Sequence, residues 1–221
     1  MSSQRRGLPH RTFPVILAAP SGGGKTTVAH RLGERRADVA FSISATTRAP
    51  RHYEQDGRDY WFVAPEEFRR MADSGELVEW AEVHGNLYGT PRRNLDEAVR
   101  NGKYLVLDID VQGARLVREA VPDAVLIFIL PPSGNVLADR LLGRGSEDDA
   151  ARRRRLANAG REIAAAVEFD YVVMNEELEA TVDAVEAILA AESHRVRRIP
   201  GLDDEVERLC GEVRDRLAAE G

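Results

Sequence analysis

The sequence predicts an α/β fold: a parallel sheet flanked by helices, with an inserted α+β lobe and a small lid. Three observations carry the prediction. Residues 15–19 form a short apolar run ending in a glycine-rich turn, and helical periodicity begins at Thr26. Apolar runs suited to buried strands return at 104–109 and 125–130, with a helical stretch at 112–120 between them. Such alternation makes parallel strands joined by helical crossovers. Residues 46–96 break it with a polar, turn-rich stretch, which reads as an insertion.

The elements follow in order. After the first strand and helix, residues 40–45 read as a second strand. Inside the insertion, 60–63 and 77–83 have strand character. Pro65 suits the first turn of a helix carrying Glu66, Glu67, Phe68 and Met71, because an N–H there would have no intrahelical partner. Pro131 and Pro132 precede a helix at 134–142. The stretch GRGSEDD and an Arg/Ala-rich helix to about residue 167 follow. A terminal strand at 171–174 and a packing helix at 178–192 come next. The tail sets Leu202, Val206, Leu209, Val213 and Leu217 on one face of a helix.

We therefore expect a disordered arm at 1–12, a domain at 13–195 and a helical extension at 196–221. The extension folds back on the core or joins a dimer, so the chain is read as a monomer or homodimer. Within the domain, the core comprises 13–43, 97–131 and 168–195, the inserted lobe 44–96 and the lid 132–167.

Composition excludes several classes. With 43% apolar and 31% charged residues, a chain of 221 can bury a core without disulfides or a structural metal. The single cysteine, Cys210, forms no internal disulfide, and no Cys/His cluster has zinc-ligand spacing, which fits a reducing compartment. The longest apolar run, 124–130, is too short to span a bilayer. Arg5, Arg6 and Arg11 mark an N-terminus without the apolar segment of a secretory signal. A cytoplasmic protein without a membrane partner is the expectation. A net charge of −6 argues against nucleic acid, and the arginine run 152–155 lacks the aromatic platform that would reverse that.

The strongest motif is Ala19-Pro20-Ser21-Gly22-Gly23-Gly24-Lys25-Thr26, with Thr27 next. It matches the P-loop pattern except at its first glycine, where Ala19 stands. Glycines let successive backbone N–H groups turn onto phosphate oxygens, and the helix beginning near Lys25 adds its positive dipole end. Lys25 reaches the β- and γ-phosphates, and the Thr26 hydroxyl holds Mg²⁺. The predicted core is thus a P-loop NTPase core, a reading that leaves kinases, GTPases and ATPases open.

Arg48 and Arg51, three residues apart around Pro50, form a short stiff loop suited to a phosphate dianion. Taken alone, it reads equally as a solvated surface loop. Asp108 and Asp110 end the strand at 104–109, and alternate strand residues share a face. Acids at such a strand end hold Mg²⁺ or its waters in P-loop enzymes, or else serve as caps and ion-pair partners. We place Asp108 on the P-loop and metal side.

Several segments together resemble one family, the guanylate kinases: TTRAPR, GRDYWFV, EWAEVHGNLYGTPR, LDIDVQGA, FILPPS, LLGRG and VVMNEEL, in the same order across residues 13–193. The resemblance implies transfer of a phosphoryl group from ATP to GMP, with the inserted lobe binding GMP. It implies that Arg48, Arg51, Tyr60 and Tyr88 hold the GMP phosphate. Glu79 would accept hydrogen bonds from guanine N1–H and the 2-amino group, a donor pair adenine lacks. Thr90 and Ser44 would add hydroxyl contacts, Asp110 would approach GMP, and Asn175 would contact adenine. Read alone, Glu79 is a solvated strand carboxylate and Asn175 a turn residue. Arg140, Arg144 and Arg155 are the candidate lid cations. Matching the family's spacing after LLGRG selects Arg155 from its run, and Arg144 and Arg155 would neutralise charge on the transferring phosphoryl group. One departure is Tyr53, where the family usually has glycine. A rival class shares the fold: non-catalytic guanylate-kinase-like modules that bind proteins. Lys25, Thr26, the paired arginines and the lid arginines retained together favour an enzyme. Glu79 and Thr90 argue against a different nucleoside monophosphate kinase.

Overall fold

The phosphate-loop sequence lies at the C-terminal end of the most central strand of a parallel sheet. The structure is a computed structural model that describes residues 8–83, 85–142 and 149–220, with side chains from 153 onward in the last span. In chain order the elements are β1 (Pro14–Ala18), α1 (Lys25–Arg35), β2 (Val39–Phe41), β3 (Ala45–Thr46), β4 (Trp61–Phe62) and α2 (Pro65–Asp73). Next come β5 (Leu77–Val83), β6 (Asn86–Pro91), α3 (Arg92–Arg100), β7 (Tyr104–Asp108), α4 (Val111–Ala120) and β8 (Val125–Leu130). The chain ends with α5 (Gly134–Leu142), α6 (Asp149–Ala164), β9 (Tyr171–Met174), α7 (Leu178–Ser193) and α8 (Leu202–Glu220).

Among the described residues, five parallel strands run in the order β2-β7-β1-β8-β9. All of β1 is buried, as is β8 up to its last residue, so their continuous apolar runs face helices on both sides. Leu17 of β1 pairs in register with Asp108 at the end of β7, which sets that carboxylate beside the loop after β1. Ligands of open parallel sheets bind at these carboxyl ends.

A second sheet, β4-β3-β6-β5, forms the inserted lobe. Its own small core joins Ala45, Phe68, Met71 and Leu77, with Trp61, Val63 and Leu87 packed against it. Phe68 and Met71 sit one helical turn apart on α2, whose first helical residue is Pro65 and whose first turn carries Glu66 and Glu67. The close passage of β5 and β6 requires Gly89, since a Cβ there would meet Leu77 Cδ1 at 2.9 Å and the Glu79 carbonyl at 3.0 Å.

Three expectations need correction. Residues 40–45 do not make one strand: β2 ends at Phe41 and β3 begins at Ala45, in different sheets. Between them, the Ser42 N–H still donates to the Val106 carbonyl of β7, while the Asn94 amide donates to the Ser42 hydroxyl and to the Ile43 carbonyl, where the chain leaves the first sheet. The strand expected to run to residue 109 ends at Asp108, and Asp110 is instead the N-cap of α4. The helix expected to about residue 167 ends at Ala164 and tightens into a 3₁₀ turn, Ala165–Glu168.

Phe13–Glu186 form one compact unit; the described parts of Met1–Thr12 and Ala187–Gly221 form another. Val206, Leu209, Val213 and Leu217 are exposed along α8. No helix among the described residues is long and apolar enough to cross a membrane.

Candidate active site

The loop after β1 has the backbone its glycines allow. Gly22 (φ 79°) and Gly24 (φ 91°) occupy left-handed conformations disfavoured for other residues. Gly23 is required by space: a Cβ would lie 2.8 Å from the Ala19 Cβ and 2.9 Å from the Pro20 carbonyl. Gly24 is the N-cap of α1, and Lys25, Thr26 and Thr27 open the helix. Lys25 Nζ lies 2.5 Å from Asp108 Oδ1, and the Thr26 hydroxyl donates to Asp108 Oδ2. Burial opposes the Lys25 charge, but the Asp108 carboxylate outweighs it and raises the lysine pKa.

Facing this loop is the inserted lobe. Glu79 of β5 and Thr90 of β6 are paired across the strands, and the Thr90 hydroxyl donates to Glu79 Oε1 at 2.7 Å. Glu79 is 8% exposed, and burial pushes its carboxyl up to about 7, with the nearby Asp110 charge adding to the effect and Thr90 opposing it. A cavity of about 340 Å³ joins the two sides. Ser21, Lys25 and Asp108 line it from the core; Ser44, Arg51, Tyr60, Glu79 and Tyr88 line it from the lobe. Asp110 lines it too, while its Oδ1 accepts from the Gly113 N–H at 2.8 Å. The acids at 108 and 110 thus share the cavity but bond to different partners.

Arg48 is held from several directions. Its Nε donates to Tyr88 Oη at 3.1 Å, its Nη2 to Glu54 Oε1 at 2.8 Å and its Nη1 to the Ala49 carbonyl at 2.7 Å. Its guanidinium carbon also lies 5.4 Å from the Tyr60 ring centre. Glu54 raises the arginine pKa, and Arg48 in turn lowers that of Glu54. Glu54 Oε2 also accepts from the Arg51 backbone N–H at 2.8 Å, so one carboxylate braces both arginines. Tyr53 contributes its hydroxyl as an acceptor for Arg51 Nη1 at 3.1 Å. Burial raises the Tyr60 pKa, with the Asp108 charge next in effect.

Two residues of the site take no part in the sequence reading. Glu54 sits three positions after Arg51, a spacing that marks it as a candidate partner. Glu162 of α6 accepts from the Ser21 N–H at 2.8 Å, so a carboxylate occupies a donor of the phosphate loop. No pattern local to Glu162 signals this pair, 141 positions apart.

The lid residues are only partly brought in. Arg155 Nη1 lies 3.4 Å from the Leu141 carbonyl, and the residue does not line the cavity. Arg140 is exposed on α5. Arg144 and His84 lie outside the described residues. Asn175, after β9, donates from Nδ2 to the Gly23 carbonyl at 2.8 Å.

Thr26 and Asp108 supply a hydroxyl and a carboxylate at the phosphate loop, hard oxygen donors that fit a divalent metal otherwise held by phosphate and water. No group of three or more His, Cys, Asp or Glu among the described residues could cage a metal by itself.

Strand, glycine loop, helix and strand-end acid together define a nucleotide-binding protein of the P-loop class. The guanylate kinase family matches residues 11–192, and the chain belongs to that family. It is 45% identical over 208 residues to a guanylate kinase of Paramagnetospirillum magneticum, covering 94% of this chain and 95% of that one. A guanylate kinase of Rhodococcus jostii is 48% identical over 177 residues, 79% of this chain and 86% of its own. The crystal structure of guanylate kinase from Anaplasma phagocytophilum superposes with a TM-score of 0.75 at 39% identity, covering 91% of this chain and 96% of that one.

Proposed function

We propose that this protein transfers the γ-phosphoryl group of ATP to GMP, giving ADP and GDP. The observation that carries the reading is one cavity with the Lys25–Asp108 pair on one wall and, on the other, the buried Glu79, which Thr90 bonds from behind the lining. The bond from the γ-phosphorus to the β-phosphate oxygen breaks, and an oxygen of the GMP phosphate takes its place. That oxygen is already anionic at neutral pH, so no general base is needed; alignment and charge neutralisation supply the rate.

The residues divide the work. Residues Ala19 to Thr27 form the loop whose backbone N–H groups, absent only at Pro20, cradle the ATP phosphates, and Lys25 touches the β- and γ-groups. Arg48, Arg51, Tyr60 and Tyr88 hold the GMP phosphate. Glu79 accepts from guanine, with Thr90, Ser44 and Asp110 beside it. Thr26 and Asp108 would hold Mg²⁺, which when bound would offset phosphate charge. Arg144 and Arg155 serve the transferring group, in a lid at 132–167 that closes over a GMP-binding lobe at 44–96. The setting is the cytoplasm and purine nucleotide metabolism.

A coupled assay of ADP formation with GMP, AMP, UMP or no acceptor tests the reading. Turnover is expected with GMP far above the others, and Glu79→Gln should erode the GMP-over-AMP preference. Equal rates with and without acceptor would refute phosphotransfer.

A further inference from the structure

The Gly23 carbonyl at the phosphate loop is bonded by a side chain from the edge of the sheet. Asn175 Nδ2 donates to it at 2.8 Å. Only the amide nitrogen can donate to a carbonyl, so the orientation of this side chain is fixed by chemistry. Its other end, Oδ1, lies 3.2 Å from the buried Thr181 hydroxyl. The backbone N–H of Asn175 donates to the Leu130 carbonyl at 2.7 Å, just past the Leu130–Met174 pair of β8 and β9. The residue is therefore anchored to the sheet on one side and to the loop on the other.

Gly24 is part of the same arrangement. A Cβ on Gly24 would lie 2.5 Å from Asn175 Nδ2, so the amide fills the space that glycine leaves open. In a trans peptide, C=O and N–H point in opposite directions. Holding the Gly23 carbonyl toward Asn175 turns the Gly24 N–H the other way.

We propose that Asn175 is a positioning residue for phosphate binding: it sets the Gly23–Gly24 peptide so that the Gly24 N–H faces the nucleotide phosphates. The proposal rests on reading this loop as the phosphate cradle. It differs from the adenine contact that the family resemblance implies, and the two part in what they predict for a ligand without a base.

The experiment is titration calorimetry of ATP and of inorganic tripolyphosphate, each with Mg²⁺, into the wild type, Asn175→Ala and Asn175→Asp, alongside the KM for GMP. Loss of the brace should weaken ATP and tripolyphosphate by a similar factor, about tenfold for one hydrogen bond. The KM for GMP should hold. The carboxylate introduced by Asn175→Asp keeps the shape but cannot donate to a carbonyl, so it should restore neither ligand. An adenine contact predicts a weaker ATP, an unchanged tripolyphosphate, and recovery by the aspartate variant as an acceptor for the adenine amino group. Unchanged tripolyphosphate affinity in the alanine variant therefore overturns the proposal. A wild type that binds neither ligand refutes the phosphate-cradle reading itself. Should the alanine variant fail to fold by circular dichroism, the near-isosteric aspartate variant carries the same comparison.

Discussion

Lowering the pH from about 8 to about 6 should weaken GMP binding roughly tenfold beyond any effect on the nucleotide's own phosphate. The cause is Glu79. Its carboxyl is 8% exposed and titrates near 7, chiefly because burial penalises the charged form. Guanine presents two donors, N1–H and the 2-amino group, and an ionised carboxylate accepts both. A protonated carboxyl turns an O–H toward one of them. With a pKa of about 7, roughly one carboxyl in eleven is ionised at pH 6 and ten in eleven at pH 8, which gives the tenfold ratio. Calorimetric titration of GMP across this range, with each Kd corrected for the phosphate dianion fraction, reads it directly. A flat corrected Kd would refute the reasoning, as would the same slope in Glu79→Gln.

The same group makes a stability prediction of opposite sense. Its folded pKa of about 7 lies above the ordinary 4.5, so the folded state binds this proton more tightly than the unfolded chain does. The resulting stabilisation is full below about 4.5 and is lost as pH rises through 7. Above that, the buried carboxylate costs about 3 kcal/mol relative to acid. Ligand-free Glu79→Gln should therefore melt higher than the wild type near pH 8, while binding GMP poorly.

Other expectations are simpler. Lys25→Ala should abolish most turnover while circular dichroism shows an intact fold; a near-normal kcat would contradict the loop assignment. Gly23→Ala should raise the KM for ATP more than the KM for GMP, because the new methyl meets the Ala19 Cβ and the Pro20 carbonyl; unchanged ATP kinetics would show that the loop yields. Arg51→Ala should raise the KM for GMP more than that for ATP, and Arg155→Ala should chiefly lower kcat, by on the order of a hundredfold. Arg153→Ala, about half a turn from Arg155, should be nearly silent, and equal damage from both would make the run a diffuse basic patch.

Legibility in the sequence follows how local the cause is. β5, β8 and β9 lie at the residues expected, and for β8 the cause is local: its continuous apolar run is buried up to the last residue. The meeting of Lys25 with Asp108 is legible as a loop motif plus a strand-end acid, and parallel register brings the two together. β6 is not legible. It carries Gly89 and Pro91, which weaken strand propensity, and the reason for Gly89 is β5 alongside it. Asp110 has the spacing of a strand residue, but the α4 N-cap claims it. The hold of Glu162 on Ser21 spans 141 residues, and no local pattern encodes such a pair. Tyr53, where the family resemblance implies glycine, contributes an acceptor to Arg51, which the residue type alone does not announce.

On the proposed function, the contrast between Asp108 and Glu79 would keep two nucleotides apart in one cavity. Asp108 sits against an ammonium and a hydroxyl, so its charge is matched before any ligand arrives. That suits a site where phosphate and metal charges must be balanced, and it carries no information about a base. Glu79 is buried beside a hydroxyl, and its ordinary acidity is suppressed. Ionising it there is unfavourable unless the incoming ligand brings donors. Guanine brings two on one edge; adenine offers an acceptor at N1 and would leave the carboxylate facing a lone pair. On the proposed function, discrimination would come less from attraction to guanine than from the cost of an unmatched buried carboxylate with the wrong base. Burial sets that cost, the Thr90 hydroxyl offsets part of it and the Asp110 charge adds to it, so Thr90→Val should leave more of Glu79 protonated, able to donate to adenine N1, and thereby weaken base preference as well as affinity. Measured as the ratio of kcat/KM for GMP over AMP, an unchanged preference in Thr90→Val would show that Glu79 reads the base without its strand partner.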